Sequence, residues 1–344
     1  MSSDTATAEA ASAAAPAPAS APVTEPAAGP APASAARPRL KADELLDRWH
    51  GISLRASTLL RDPVAAQFAA AAQRADDDIQ ALLGDEAERS LLLLIHSAGS
   101  DAQRYSVSHG LLVAVVCDLA ARFLPGCTEE QRRSLRQAAL TMNIGMTRLQ
   151  DQLALQDSPV TAEQRALIDG HATRSHELLG EMGVTDALWL EAVLHHHDSP
   201  PGPLMEQPLA MQFARLVQRA DLFAARMSPR KQRAALSANV AAKGTYLDEH
   251  KKPDAAGSLV IKALGVYPAG SYVQLASGEL AVVLRRGAAA SSPLVAAVSD
   301  GQGNPYVQPS PRFTDTKATA VLRGVPPKEV RVRVAVERLL KLAR

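Results

Sequence analysis

From about residue 40 to residue 245 the apolar side chains recur at helical spacing, and nowhere in that stretch do they alternate as a strand would. Leu45, Leu46, Trp49, Ile52 and Leu59-Leu60 open the pattern, and Ile79, Leu82, Leu83 and the run Leu91 to Ile95 continue it. Breaks fall where turn chemistry predicts them. Pro125-Gly126 closes one helix, Asp157-Ser158-Pro159 precedes another, and Gly183 and Ser199-Pro200-Pro201-Gly202-Pro203 interrupt later ones. An all-helical bundle is the economical expectation.

After Gly265 the pattern changes. Val266 to Leu275 alternates, Ser277-Gly278 turns into Glu279 to Leu284, and Leu294 to Val298 precedes Asp300-Gly301-Gln302-Gly303. Short β-branched runs punctuated by glycine read as hairpins, so a small β-rich appendage is expected over about 266–312. Arg331 to Leu342 reads as a closing helix or a strand, with nothing to choose between them. The fold class expected is mainly α, with a small C-terminal β-rich part. The divisions expected are 1–38, a disordered Ala/Pro-rich tail; 39–98, an N-terminal helical region; 99–262, a second helical domain; and 263–344, the appendage with its closing segment.

The tail expectation rests on Pro16, Pro18, Pro22, Pro26, Pro30 and Pro32, which prevent a continuous helix, and on the lack of large apolar side chains to bury. With no Lys or Arg before Arg37, this segment does not resemble a signal peptide. No apolar run approaches the roughly 18 residues needed to cross a bilayer. A cytoplasmic protein with no membrane partner is therefore expected. The net charge of +1 supplies no long-range field for nucleic acid, so any anion binding has to be local. Cys117 and Cys127 are the only cysteines, which rules out a zinc ribbon or a disulfide framework and leaves two free thiols.

Against this apolar background five polar groups stand out. His109 shares a helical face with Val113, Val116 and Ala120; His171 lies four after Leu167 and seven before Leu178; His196 follows Ala192 by four and Trp189 by seven; Asp221 follows Val217 by four. Burying an unpaired polar group costs roughly 2–7 kcal/mol, so these groups are expected to satisfy one another. They do so either as a hydrogen-bonded cluster that ties the bundle together or through a metal. The adjacent pair His196-His197 favours ligation. His195 is expected to face away, and His176 falls on another face of its helix.

In order and framing, Ser106 to Pro268 resembles the HD-GYP branch of the HD phosphohydrolases. Ser108-His109-Gly110-Leu111-Leu112-Val113 looks like the first-histidine helix, and Ile168-Asp169-Gly170-His171 is similar to the mid-domain histidine. Ala192 to Asp198, with His195-His196-His197, resembles the paired-histidine segment, and Ala214 to Asp221 the last metal aspartate with its lead-in. Gly265-Val266-Tyr267-Pro268-Ala269-Gly270-Ser271 looks like the family's exit into its β appendage. The resemblance implies a helical domain that hydrolyses cyclic di-GMP with two or three metal ions.

The departures fall on the chemistry. Met142 stands for the family's metal histidine, Asn143 for the aspartate that bridges two ions, and Met146 for a lysine near the phosphate; the loop that names the family is replaced by Ser199-Pro200-Pro201-Gly202. One ion would keep only His109 and Asp221 of its ligands, whereas the other would keep His171, His196 and His197. Three neutral imidazoles can hold one Fe, Mn or Zn ion, but a hydroxide bridging two ions is not expected. Arg230 and Arg233, nine and twelve residues after Asp221, look like the family's basic pair on the phosphates. On residues alone they equally read as a solvated basic turn.

Three functions follow. The chain is a degenerate signalling protein that binds cyclic di-GMP or docks another signalling protein, such as a diguanylate cyclase domain; or a residual phosphohydrolase on one His-ligated metal; or a structural interaction module without nucleotide.

Overall fold

The computed structural model describes residues 39–98, 102–287, 289 and 291–344; the tail expected over 1–38 lies outside them. Twelve helices come first: α1 (Ala42–Arg61), α2 (Ala65–Leu83), α3 (Ala87–His96), α4 (Tyr105–Ala121), α5 (Glu129–Thr141), α6 (Thr147–Leu155), α7 (Ala162–Asp169), α8 (His171–Glu181), α9 (Ala187–Leu194), α10 (Leu209–Met227), α11 (Ala238–Tyr246) and α12 (Ala255–Leu264). A five-stranded antiparallel sheet follows, and α13 (Val336–Leu342) closes the chain. The fold is thus mainly helical with a small C-terminal sheet, as the sequence pattern implies. Among the described residues no helix is long and apolar enough to cross a membrane.

Helix α4 lies at the centre. Nearly every one of its side chains from Tyr105 to Ala121 is buried, and it packs against α5, α10 and α12. His109 therefore does not sit on an apolar stripe with a polar face opposite, as its spacing suggested; the helix is apolar all round and has no solvent face. Gly110 allows the close crossing with α5, since a Cβ there would stand 2.9 Å from the Leu140 carbonyl oxygen. Helices α5 and α7 begin in capping boxes, Thr128 with Gln131 and Thr161 with Gln164, which satisfy the free amides of the first turn.

The strands are β1 (Tyr272–Leu275), β2 (Leu280–Arg285), β3 (Leu294–Ser299), β4 (Pro305–Phe313) and β5 (Val321–Val325), in the order β4-β3-β2-β1-β5. The sheet runs beyond the expected 312 because β5 returns to pair with β1. Alternation sorts its two faces. Val282, Leu284, Ala296 and Val298 join the helical core, whereas Val273, Leu275, Ala281, Val283 and Val295 make a second small core on the other side. Pro305, Pro309 and Pro311 hide β4 from a pattern search, yet they are tolerated because β4 is an edge strand. The segment left open between helix and strand contains helix α13, which carries Leu339 and Leu340 into the core beside α1 and α3. One apolar core thus takes residues from 39–98, 99–262 and 263–344 alike.

Polar ties cross the same interior. Arg136 on α5 donates to Asp76 on α2 at 2.7 and 2.9 Å and to Asp118 on α4 at 2.7 Å, with all three side chains 2% exposed. Breaking such a buried pair leaves an uncompensated charge. Replacing Asp76 with alanine should lower the unfolding free energy by about 3–5 kcal/mol, read from the urea midpoint; a loss under about 1 kcal/mol would show that the pair holds nothing together.

Candidate metal and phosphate site

Helix α7 ends at Asp169, and after Gly170 His171 starts α8 as its first residue. Leu167, expected on the same stripe as His171, belongs to a different helix with no buried residue, so that periodicity was accidental. His196 and His197 likewise lie just past α9, which ends at Leu194, in a turn rather than on the helix. The same local device orients two of these rings. The Nδ1–H of His171 donates to the Ile168 carbonyl at 2.5 Å, and that of His196 to the Val193 carbonyl at 2.6 Å, each three residues back. With Nδ1 carrying the proton, Nε2 carries the lone pair.

Those lone pairs face one another. His171 Nε2 lies 3.1 Å from His196 Nε2 and 3.2 Å from His197 Nε2, and the three ligand atoms lie within 4.8 Å of one another. Acceptors so placed repel unless a proton or a cation is shared between them. Burial, followed by the charge of His197, lowers His196 to about 3, and burial also lowers His171. Both are neutral near pH 7, the form that ligates. A neutral imidazole whose other nitrogen is held by a backbone carbonyl is the usual form of a metal-bound histidine; His171 and His196 take that form, and with His197 Nε2 beside them the set suits one borderline divalent ion.

His109 and Asp221 form a second unit. His109 Nε2 on α4 donates to Asp221 Oδ1 on α10 at 2.6 Å. Burial opposes ionisation of Asp221, but the His109 hydrogen bond and charge, with the charges of His196 and His197, outweigh it and hold the carboxyl down to about 2. Asp221 acts in turn on His171 and His196. The five residues therefore meet as a bonded pair and a converging trio within electrostatic reach.

The segment that carries Met142, Asn143 and Met146 packs against α8, the helix that His171 begins. Helix α5 ends one residue before Met142, whose side chain is buried in the apolar core. From Asn143 a short 3-10 turn, Ile144–Met146, leads into α6. Gly145 donates its amide to Ser175 Oγ on α8 at 3.0 Å, one turn after His171, and a Cβ there would stand 2.9 Å from the Ser175 nitrogen. The departures are thus packed against the helix that His171 begins.

Arg230 and Arg233 close the other side. Their backbones pair reciprocally at 2.8 and 2.9 Å in the turn after α10. The Arg230 guanidinium sits 4.7 Å from the centroid of the Tyr105 ring, and that ring stacks on His109 with centroids 5.5 Å apart. Arg230 is half-buried on an aromatic face rather than a plain surface guanidinium as expected, while Arg233 is exposed. Tyr105 is the participant that pattern reading passed over. Its position one turn before His109 was the available signal. His195 stays outside, bonded to Asp198 at 2.6 Å and to Glu191 at 3.2 Å.

A protein of Pseudomonas aeruginosa described as cyclic di-GMP phosphodiesterase PA4108 is 28% identical to this chain over 202 residues, covering 57% of this chain and 48% of that protein. The chain thus spans about half the length of this distant curated relative. No family model and no solved structure matches it.

The depressed pKa of His196 has a testable sign. An unfolded histidine binds its proton near 6.5 and the folded one near 3, so stability is complete above pH 6.5 and falls as the pH drops through that window. Chelator-treated protein should lose up to about 1.4 kcal/mol per pH unit to this residue. His196→Gln should flatten that decline in urea titrations at pH 7, 5 and 4; an unchanged slope would mean that His196 is not buried neutral.

Proposed function

We propose that this protein is a cyclic di-GMP-related signalling module of HD-GYP type that binds its ligand with one metal centre and is impaired in hydrolysis. The observation that carries the reading is the convergence of three histidine Nε2 atoms, with the Nδ1 protons of His171 and His196 committed to backbone carbonyls. His171, His196 and His197 would hold one Fe, Mn or Zn ion, and such an ion supplies a positive charge against a phosphodiester oxygen. Asp221 stays ionised and holds His109 in one orientation; Arg230 and Arg233 offer guanidiniums to phosphate. Similarity to a cyclic di-GMP phosphodiesterase supports that ligand class.

Impairment follows from Met142 and Asn143. A thioether buried in the core replaces an imidazole, and a neutral amide replaces the carboxylate that would bridge two ions. A hydroxide shared by two ions, the strong nucleophile of a dinuclear centre, then has nothing to hold it. Slow hydrolysis on the single His-ligated metal is the second reading, favoured by the open positions that three ligands leave.

Metal analysis of purified protein should find about one equivalent of Fe, Mn or Zn, reduced to under roughly a tenth by His171→Ala or His196→Ala. Two equivalents and brisk turnover of cyclic di-GMP would overturn the reading. The double change Met142→His, Asn143→Asp should raise the metal content toward two.

Arg230→Ala with Arg233→Ala should weaken cyclic di-GMP binding by about two to four orders of magnitude, given roughly 1.5–3 kcal/mol per charge-assisted contact, without changing the circular dichroism. Calorimetry that detects no binding to the parent protein would leave a partner-docking module as the better account.

A further inference from the structure

Where arginines enter this protein's interior, carboxylates meet them. Arg89 pairs with Glu86 at 2.6 Å, Arg136 with Asp76 and Asp118 at 2.7 Å, Arg215 with Asp254 at 2.7 Å, and Arg219 with Glu249 at 2.7 Å. The end of α10 breaks that rule. Among the described residues, no carboxylate lies within ion-pair distance of Arg226, Arg230 or Arg233. Arg226 Nη1 and Arg230 Nε are buried without any hydrogen-bond partner. Arg233 reaches only the Ala225 carbonyl, a neutral acceptor.

Arg226 is not accommodated by chance. Its guanidinium lies against Gly244 in α11, and a Cβ at that glycine would fall 1.7 Å from Nη1. Glycine inside a helix costs roughly 1 kcal/mol relative to alanine; here it makes room for a cation with no partner. Burial, and then the charges of Arg219 and Arg233, lower the pKa of Arg226, and burial followed by Arg230 lowers that of Arg233. The cations thus sense one another in the order Arg230, Arg233, Arg226. Arg219 is neutralised by Glu249 and Asp254, and Asp221, which acts on Arg233, is already bonded to His109.

Arg226 and Arg230, half-buried and without counter-charges among the described residues, are unfavourably placed until an anion arrives, and the exposed Arg233 adds its charge beside them. We infer that Arg226 is a third guanidinium of the surface formed by Arg230 and Arg233, and that this surface takes a ligand bearing two phosphate groups rather than one. A single phosphodiester brings one negative charge to three cations, whereas a second phosphate gives Arg226 a partner of its own. For the ligand's identity as a cyclic dinucleotide, the inference rests on the function proposed above.

Calorimetric titration of the full chain with cyclic di-GMP, GMP and inorganic pyrophosphate tests it. Arg226→Gln should weaken cyclic di-GMP and pyrophosphate at least tenfold, the equivalent of one charge-assisted contact, while changing GMP affinity by less than about twofold. Arg226→Lys, which keeps the charge, should fall between, and it serves as the test if the glutamine variant does not fold. Pyrophosphate binding that depends on Arg226, with none for cyclic di-GMP, would remove the nucleotide assignment and sustain the inference. Equal affinities in parent and variants, or no affinity for either two-phosphate probe, would overturn it and leave Arg226 as packing against Gly244.

Discussion

Helix α4 has no face to give to solvent, and the rest of the molecule is arranged by that fact. A helix apolar on all sides has to be surrounded, and α5, α10 and α12 surround this one. Tyr105 and His109 are carried inside with it. A buried imidazole needs a partner at hydrogen-bond distance, and Asp221 on α10 supplies it at 2.6 Å. The pair then fixes how α10 lies along α4, and the turn that follows α10 brings Arg230 onto Tyr105. Packing demand and site geometry are here the same constraint.

The interior separates two uses of charge. Around Arg136 the charges are closed upon themselves: Asp76 and Asp118 meet the guanidinium on both sides, and nothing is left to bind a ligand. At the junction of α10 with its following turn the charges are left open, with Arg226, Arg230 and Arg233 facing no carboxylate among the described residues. The histidine trio is open in the complementary sense, since His171 and His196, with Nδ1 on backbone carbonyls, turn Nε2 lone pairs toward each other. A phosphate-bearing ligand and a divalent cation would answer these two deficits together, which is why the proposed function joins metal and anion.

Local backbone geometry accounts for the precision of the trio. His171 and His196 come from different chain segments, yet each ring folds back onto the carbonyl three residues earlier. Each Nε2 is aimed by its own turn, so the packing of α8 against α9 has only to bring the two turns together. Met142 and Asn143 lie in the segment that the Gly145–Ser175 contact ties to α8, outside this device.

The sequence by itself determined the helical class, the switch to strands near residue 270, and the identity of the polar groups that had to be satisfied in an apolar interior. Periodicity reveals which residues avoid water, and that information is local. It misjudged His171, whose apolar neighbour Leu167 proved to be on another helix, because a period does not register a one-residue break such as Gly170. It passed over β5, whose only reason to be a strand is the edge of β1 it completes. Tertiary structure alone decided that His109 would bond Asp221, that Tyr105 would lie under Arg230, and that Arg226 would meet no carboxylate among the described residues. Those are relations between distant segments, set by how the segments pack, and no spacing along the chain encodes them.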